Sequence, residues 1–126
     1  MLKLKQVTLD TVGEWVEYGA TQDGIKFQIR PLTGNTIKEL RKQCVTTKTI
    51  FVQGKPTKQE TLNEEQFELA VRDYILQDWQ GLGNEAGEVL VVNEANKALV
   101  FDNLELNDFL FTASKSLDMV EEKKIV

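Results

Sequence analysis

Asn63–Gly83 reads NEEQFELAVRDYILQDWQGLG and carries the clearest helix pattern in the sequence. Its apolar side chains recur at the spacing of one buried helical face, namely Phe67, Ala70, Val71, Tyr74 and Ile75. Acidic residues occupy the first turn, where they favour the positive end of the helix dipole. The pattern predicts an amphipathic helix against which the rest of the fold packs.

The two ends of this helix carry their own signals. Two pairs at its start have the spacing of a capping box, Thr61 with Glu64 and Asn63 with Gln66. Beyond Trp79, the two glycines of Gly81–Gly83 permit the left-handed turn of a C-terminal cap. We therefore expect the helix to stop near Asp78.

Strand patterns precede the helix. Residues 2–9 alternate in polarity and predict a short strand, and the apolar patch Trp15–Tyr18 follows a turn. After the turn dipeptide Asp23–Gly24, residues 25–29 alternate between apolar and polar side chains, which is the cleanest strand signal in the chain. Together these stretches predict a small antiparallel sheet of two or three strands.

Pro31 ends that sheet, and Thr33 or Asn35 can cap a short basic helix that follows. Residues 46–60 are compatible with either an exposed β-hairpin or a loop, and residues 88–92 with a short strand or a buried extended segment. Asn93 can cap a helix that turns Ala95, Ala98 and Leu99 inward, with Phe101 as a further candidate for the inward face. A final helix shows apolar residues at helical spacing from Leu106 to Val120.

The fold class predicted from these elements is α+β, in a single domain spanning residues 1–126. It places a small N-terminal antiparallel β-sheet or hairpin in residues 1–31 and a mainly α-helical bundle of about four helices in residues 32–120. Residues 121–126 are charged and are expected to form a flexible tail.

Composition narrows the classes of function. The 126 residues are 41% hydrophobic and 28% charged, which is ordinary for a globular domain. The formal charge of -5 argues against nucleic-acid binding, whose usual footprint is a basic patch. The longest apolar run, Val89–Val92, is too short to span a membrane, and the N-terminus has no signal-peptide pattern. A single cysteine indicates a reducing compartment.

Catalytic chemistry has little support in the sequence. The chain contains no histidine, which removes the commonest acid/base at neutral pH and the commonest transition-metal ligand. Cys44 therefore has no imidazole partner, and we expect it to be a small core residue at a helix end. The carboxylates have the pattern of solvated helix faces. We expect no enzyme activity, no catalytic residue, no cofactor and no metal.

Aromatic residues are more informative. Trp79 can cover the core while its indole N–H donates to a carbonyl oxygen. Alternatively, its ring can contact a partner beside a flexible loop. Phe109, Leu110 and Phe111 cover more than one face of the last helix. Either two neighbouring helices flank this helix, or part of the cluster meets a partner.

Several short motifs together resemble one family. Val71–Ile75 leads into the W-x-G motif of Trp79–Gly81, and a second glycine, a short apolar segment, an NEANKAL helix and an LNDFL helix follow. This series, over roughly Phe67–Leu117, resembles the tail assembly chaperones of long-tailed bacteriophages and prophages. The earlier Ile29–Gly34 stretch, IRPLTG, is similar to the point where a sheet leads into the first helix of such proteins.

The resemblance implies a non-catalytic chaperone of the host bacterial cytoplasm. Such proteins bind the hydrophobic tape-measure protein, keep it soluble and help to recruit tail-tube protein around it, and many occur with a longer frameshifted product. Self-association is compatible with this role, and no nucleic acid or membrane is involved. The partner-binding residues expected from the resemblance and the aromatic pattern are Trp79, Leu82, Phe109, Leu110, Phe111 and Leu117.

Two other classes remain open at the level of sequence. A structural head–tail connector or tail-completion protein would share a small mixed fold without catalysis, but it would be present in mature virions, whereas a chaperone leaves before completion. An acidic mimic of nucleic acid needs regularly spaced carboxylates, and 15 basic residues against 20 acidic ones disfavour it.

Overall fold

The computed structural model describes residue 9, residues 11–19 and residues 24–124. The predicted strand over residues 2–9 lies outside these residues except for Leu9, which packs against the core. Within the described residues the elements follow the order β1 (Glu14–Glu17), β2 (Lys26–Ile29), α1 (Gly34–Gln43), β3 (Val45–Val52), β4 (Lys55–Leu62), α2 (Glu64–Ile75), β5 (Leu76–Gln80), α3 (Glu94–Asp102) and α4 (Leu104–Lys124).

The mixed fold class is confirmed, and the predicted order of a β part followed by helices is only partly matched, because strands and helices are interleaved. In the described part of the chain, β2 lies between β1 and β5 in an antiparallel sheet, and β3 pairs with β4 in a second sheet. The strands β3, β4 and β5 all fall within residues 32–120, where a helical bundle was expected. The helix α4 extends to Lys124, into the stretch predicted as a tail.

The helix α2 ends three residues earlier than predicted. It stops at Ile75, and Leu76 begins β5 with no intervening loop. Across the ladder Phe27 is paired with Trp79 and Ile29 with Leu76, so β5 contains one extra residue at a bulge. Because of the bulge, the buried side chains of Leu76 and Trp79 are three positions apart, a spacing that also occurs on one face of a helix. The amphipathic pattern therefore continued past the true end of the helix.

Gly81 turns the chain at the end of β5 instead of capping a helix. Its φ is 85°, in the left-handed region that glycine adopts without steric cost. A Cβ at this position would come within 3.0 Å of the carbonyl oxygen of Gly24 and 3.1 Å of the Cα of Ile25. The close approach of two backbones explains why glycine follows Trp79–Gln80.

Side-chain caps fix the helix starts where the sequence placed them. Thr33 and Thr36 form a reciprocal capping box at the start of α1, and the Asn63 side chain accepts from the backbone N–H of Gln66 at α2. Asn93 caps α3 in the same way, as predicted. Because the caps satisfy backbone N–H groups, each helix begins at a defined residue.

The core lies between the three-stranded sheet of the described residues and the helices. It is built from apolar side chains of β2, β5 and all the named helices, namely Phe27, Ile29, Leu40, Val71, Tyr74, Ile75, Leu76, Trp79, Val100, Phe101 and Leu110. Cys44 is buried with its thiol free, as expected for a small core residue. In the part of the chain that the structure describes, no helix is long and apolar enough to span a membrane.

Hydrogen bonds of Arg30 and Ser114 connect the IRPLTG stretch, residues 29–34, to two helices. The Arg30 guanidinium donates to the carbonyl oxygen of Tyr74 at 2.9 Å, near the C-terminus of α2, and lies 5.3 Å from the Tyr74 ring centroid. The Ser114 hydroxyl accepts from the Leu32 N–H and donates to the Arg30 carbonyl oxygen, both at 2.8 Å. These bonds connect α2 and α4 to the segment between β2 and α1.

Candidate protein-binding groove

The loop between β5 and α3 is held in shape by its own hydrogen bonds. The Asn84 side chain accepts from the backbone N–H groups of Ala86 and Glu88 at 3.0 and 2.9 Å, which closes a compact turn. The Leu90 N–H donates to the Leu82 carbonyl oxygen at 3.0 Å. The loop therefore folds back as a short irregular ribbon.

Trp79 fastens this loop to the core. Its indole N–H donates to the Leu90 carbonyl oxygen at 2.8 Å, and the residue as a whole is only 5% exposed. Of the two roles considered for Trp79, the structure places it in the first, as a roof over the core with its polar atom satisfied. Trp79 holds Leu90 in position without being exposed itself.

An open groove lies between this loop and the start of α4. We call it the leucine groove; its volume is about 410 Å³, and it is lined by Leu82, Gly83, Asn84, Glu85, Leu90, Leu99, Val100, Asn103 and Leu106. Leucine side chains come from the loop and from both helices, and Leu99 is 60% exposed. An apolar concave surface of this kind with polar groups at its edge is typical of a ligand or peptide site.

The charged side chain that lines the groove is acidic. Residues 76–96 and 98–114 contain no lysine or arginine, and Lys97 between them forms an ion pair with Asp73 at 2.8 Å. The acidic residues of these segments are Asp78, Glu85, Glu88, Glu94, Asp102, Glu105 and Asp108. Glu85 lines the groove directly. The groove is therefore apolar inside and acidic at its edge.

The six predicted partner-binding residues fall into three environments. Leu82 lines the leucine groove. Trp79 and Leu110 are core residues, exposed by only 5% and 0%. The other three are half-buried and pack against the core, namely Phe109, Phe111 and Leu117. The structure thus brings one of the six, Leu82, to the leucine groove, and Leu82 is itself half-buried and packs against the core.

The phenylalanines of α4 are engaged by other rings. The Phe109 ring centroid lies 5.0 Å from that of Tyr18 and 6.1 Å from that of Phe27. The Phe111 centroid lies 6.0 Å from that of Phe101, in an edge-to-face arrangement. The cluster covers two faces of α4 because both faces have neighbours within the fold.

The sequence reasoning missed Leu99 as a surface residue. The prediction turned it inward with Ala95, Ala98 and Phe101. Phe101 is buried as expected, together with Val100, whereas Ala95, Ala98 and Leu99 are exposed. A helix of nine residues with an apolar residue at many positions has no single unambiguous buried face. The sequence contained a different signal for this surface: residues 76–96 and 98–114 include acidic residues but no lysine or arginine.

A second depression, between α2 and α3, has another character. Its walls include Leu69, Ala98 and Phe101, and Lys97 there forms a 2.8 Å ion pair with Asp73. This surface is therefore partly closed by an internal charge pair. Leu69, which is 50% exposed, offers a reference position outside the leucine groove.

Comparison with known proteins gives no relative. No protein-family model matches the sequence, and no curated protein and no solved structure gives a significant match. Among the described residues, no group of three or more histidine, cysteine, aspartate or glutamate side chains is arranged to hold a metal ion.

Proposed function

We propose that this protein is a non-catalytic tail assembly chaperone of a phage or prophage, acting in the host bacterial cytoplasm. It binds apolar segments of the tape-measure protein, keeps that protein soluble and helps to recruit tail-tube subunits. The leucine groove supports this proposal best. It offers an open apolar surface lined by Leu82, Leu90, Leu99 and Leu106, while Glu85 and the neighbouring acidic residues keep the surroundings hydrated.

The groove suits a segment that has not yet packed into its own assembly. An amphipathic helix presents its apolar anchors three and four positions apart, and a groove between helices accepts such a row of side chains. The anchors gain free energy from burial against leucine side chains. The acidic edge disfavours acidic segments and favours segments flanked by lysine or arginine.

This proposal relocates the binding surface expected from the sequence. Leu82 remains a contact residue, and Leu90, Leu99 and Leu106 join it. Trp79 supports the surface from below through its hydrogen bond to the Leu90 carbonyl oxygen. The buried Leu110 serves the fold rather than the contact.

Replacing Leu99 tests the proposal. We expect Leu99→Asp to lower the recovery of the tape-measure protein from the same phage or prophage by at least about tenfold on co-purification, because a carboxylate in the groove loses hydration without gaining a partner. Leu99 is 60% exposed, so the unfolding temperature should change little.

The matched control is Leu69→Asp. Leu69 is also a leucine on a helix and is 50% exposed, but it lies between α2 and α3, outside the groove. We expect this variant to recover the tape-measure protein as well as the unaltered chain does. Equal loss in the two variants, or loss in neither, would refute the groove as the binding surface.

A further inference from the structure

The β3–β4 hairpin extends away from the body of the molecule. We call residues 45–62 the hairpin arm. In the described part of the chain its strands pair with each other and with no other strand, and all of residues 51–61 are exposed. Eight residues per strand give the arm a length of about 26 Å. An arm of this kind presents a surface without contributing to the core.

The end of the arm is a tight turn flanked by apolar side chains. A two-residue loop, Gln53–Gly54, has φ values of 52° and 78°, as expected for the type I′ turn that closes a tight hairpin. Beside the loop, Phe51 lies opposite Pro56 and is 74% exposed, and Val52 is 50% exposed. A large aromatic side chain at the end of a long arm is an anchor suited to a pocket in another molecule.

The charge of the chain is divided unevenly along its length. Residues 34–62, which include α1 and the arm, carry six basic and two acidic residues, a net charge of +4. Residues 63–126 carry five basic and fourteen acidic residues, a net charge of -9. The arm itself carries three lysines and one glutamate, a net charge of +2, so one chain presents a basic arm and an acidic C-terminal half that are complementary in charge.

Pairing between two arms is unfavourable. Two copies joined along β3 would bring together two basic arms, each with Lys48, Lys55 and Lys58 against the single carboxylate of Glu60. On β4, Pro56 has no N–H to offer to an added strand. Both features disfavour strand addition at the edges of the hairpin, which leaves the exposed Phe51 at its end as the candidate contact.

We infer that the hairpin arm of one copy docks into the leucine groove of a second copy. Phe51 and Pro56 enter between the leucine side chains of the groove, and the arm's lysines face the acidic edge at Glu85. The groove volume of about 410 Å³ accommodates these two side chains. Apolar burial supplies the attraction, and the opposite charges set the orientation.

Such a contact is head-to-tail, because the two copies use different surfaces. Each added copy leaves one free arm and one free groove, so the assembly grows as an open chain or closes as a ring. The groove is also the proposed site for the tape-measure protein, so a copy that holds an arm does not hold that partner. Self-association is measured without the partner, and its failure leaves the proposed function untouched.

A mixing experiment with two complementary variants tests this inference. Phe51→Asp disables the arm, and Leu99→Lys disables the groove by adding a positive charge that repels the arm. By sedimentation velocity, the unaltered chain should form species larger than a monomer as concentration rises. Each variant alone should associate about tenfold more weakly or worse. An equal mixture should form a heterodimer and no larger species, because one good arm meets one good groove.

Circular dichroism and thermal unfolding verify that both variants fold, and Glu85→Lys replaces Leu99→Lys if the latter unfolds. Raising the salt concentration should also shift the unaltered chain towards monomer, because salt screens charges more than about 10 Å apart at 0.1 M. The inference is overturned if the unaltered chain stays monomeric at millimolar concentration. It is also overturned if either folded variant associates as strongly as the unaltered chain, or if the mixture gives no heterodimer.

Discussion

Leu110→Ala is expected to lower the free energy of unfolding by about 3 kcal/mol, the usual cost of emptying a leucine site in a core. Leu110 has no exposed surface and belongs to the cluster that joins α4 to the sheet. Truncation removes its dispersion contacts and leaves a cavity that a closely packed interior only partly fills. Urea denaturation monitored by tryptophan fluorescence measures the change.

Leu104→Ala is the matched control for this prediction. It removes the same atoms from the same helix, but Leu104 is 80% exposed, so the free energy of unfolding should change by less than about 0.5 kcal/mol. The comparison separates a core role from a contact role. If Leu110→Ala kept full stability but lost binding of the tape-measure protein, Leu110 would be a contact residue, as the sequence predicted.

Ser114→Ala is expected to destabilise the fold by about 2 to 4 kcal/mol, a large effect for the loss of one oxygen atom. The hydroxyl is fully buried and makes two 2.8 Å hydrogen bonds, with the Leu32 N–H and the Arg30 carbonyl oxygen. Alanine leaves both backbone groups without this partner. A buried polar group without a partner costs its full desolvation free energy.

Ser116→Ala provides the comparison two residues further along α4. The Ser116 hydroxyl is exposed and donates to the Thr112 carbonyl oxygen at 2.9 Å, within its own helix. Water replaces this bond when the hydroxyl is removed, so we expect a change within about 0.5 kcal/mol. Equal losses of stability in the two variants would contradict the assigned role of Ser114.

Local chemistry made much of the fold predictable. The alternation in β2, the capping residues Thr33, Asn63 and Asn93, and the amphipathic face of α2 each depend on residues close in sequence. For residues 46–60 a hairpin and a loop were both considered, and the structure forms the hairpin, over residues 45–62. Its turn residues, Gln53–Gly54, carry that information locally.

The end of α2 could not be predicted because it depends on pairing with a distant strand. Trp79 faces the core through the bulge in β5, opposite Phe27, which lies 52 residues earlier in the chain. Periodicity alone does not distinguish such a bulge from another turn of helix. The W-x-G motif therefore marks a strand end and a close backbone contact at Gly81.

The leucine groove was equally hidden from the sequence. An apolar pattern identifies residues that favour burial, but it does not tell which of them the finished fold leaves at the surface. Leu99 is 60% exposed and lines the groove opposite a loop whose shape rests on the hydrogen bonds of Asn84 and Trp79. The absence of lysine and arginine from residues 76–96 and 98–114 was visible in the sequence.

The most direct test of the leucine groove is a titration of leucine methyl signals by nuclear magnetic resonance. The full chain, labelled at its leucine methyl groups, is titrated with the tape-measure protein of the same phage or prophage. We expect the largest shifts at Leu82, Leu90, Leu99 and Leu106, and little change at Leu69. Shifts centred on Leu69 with the groove leucines unchanged would contradict the account.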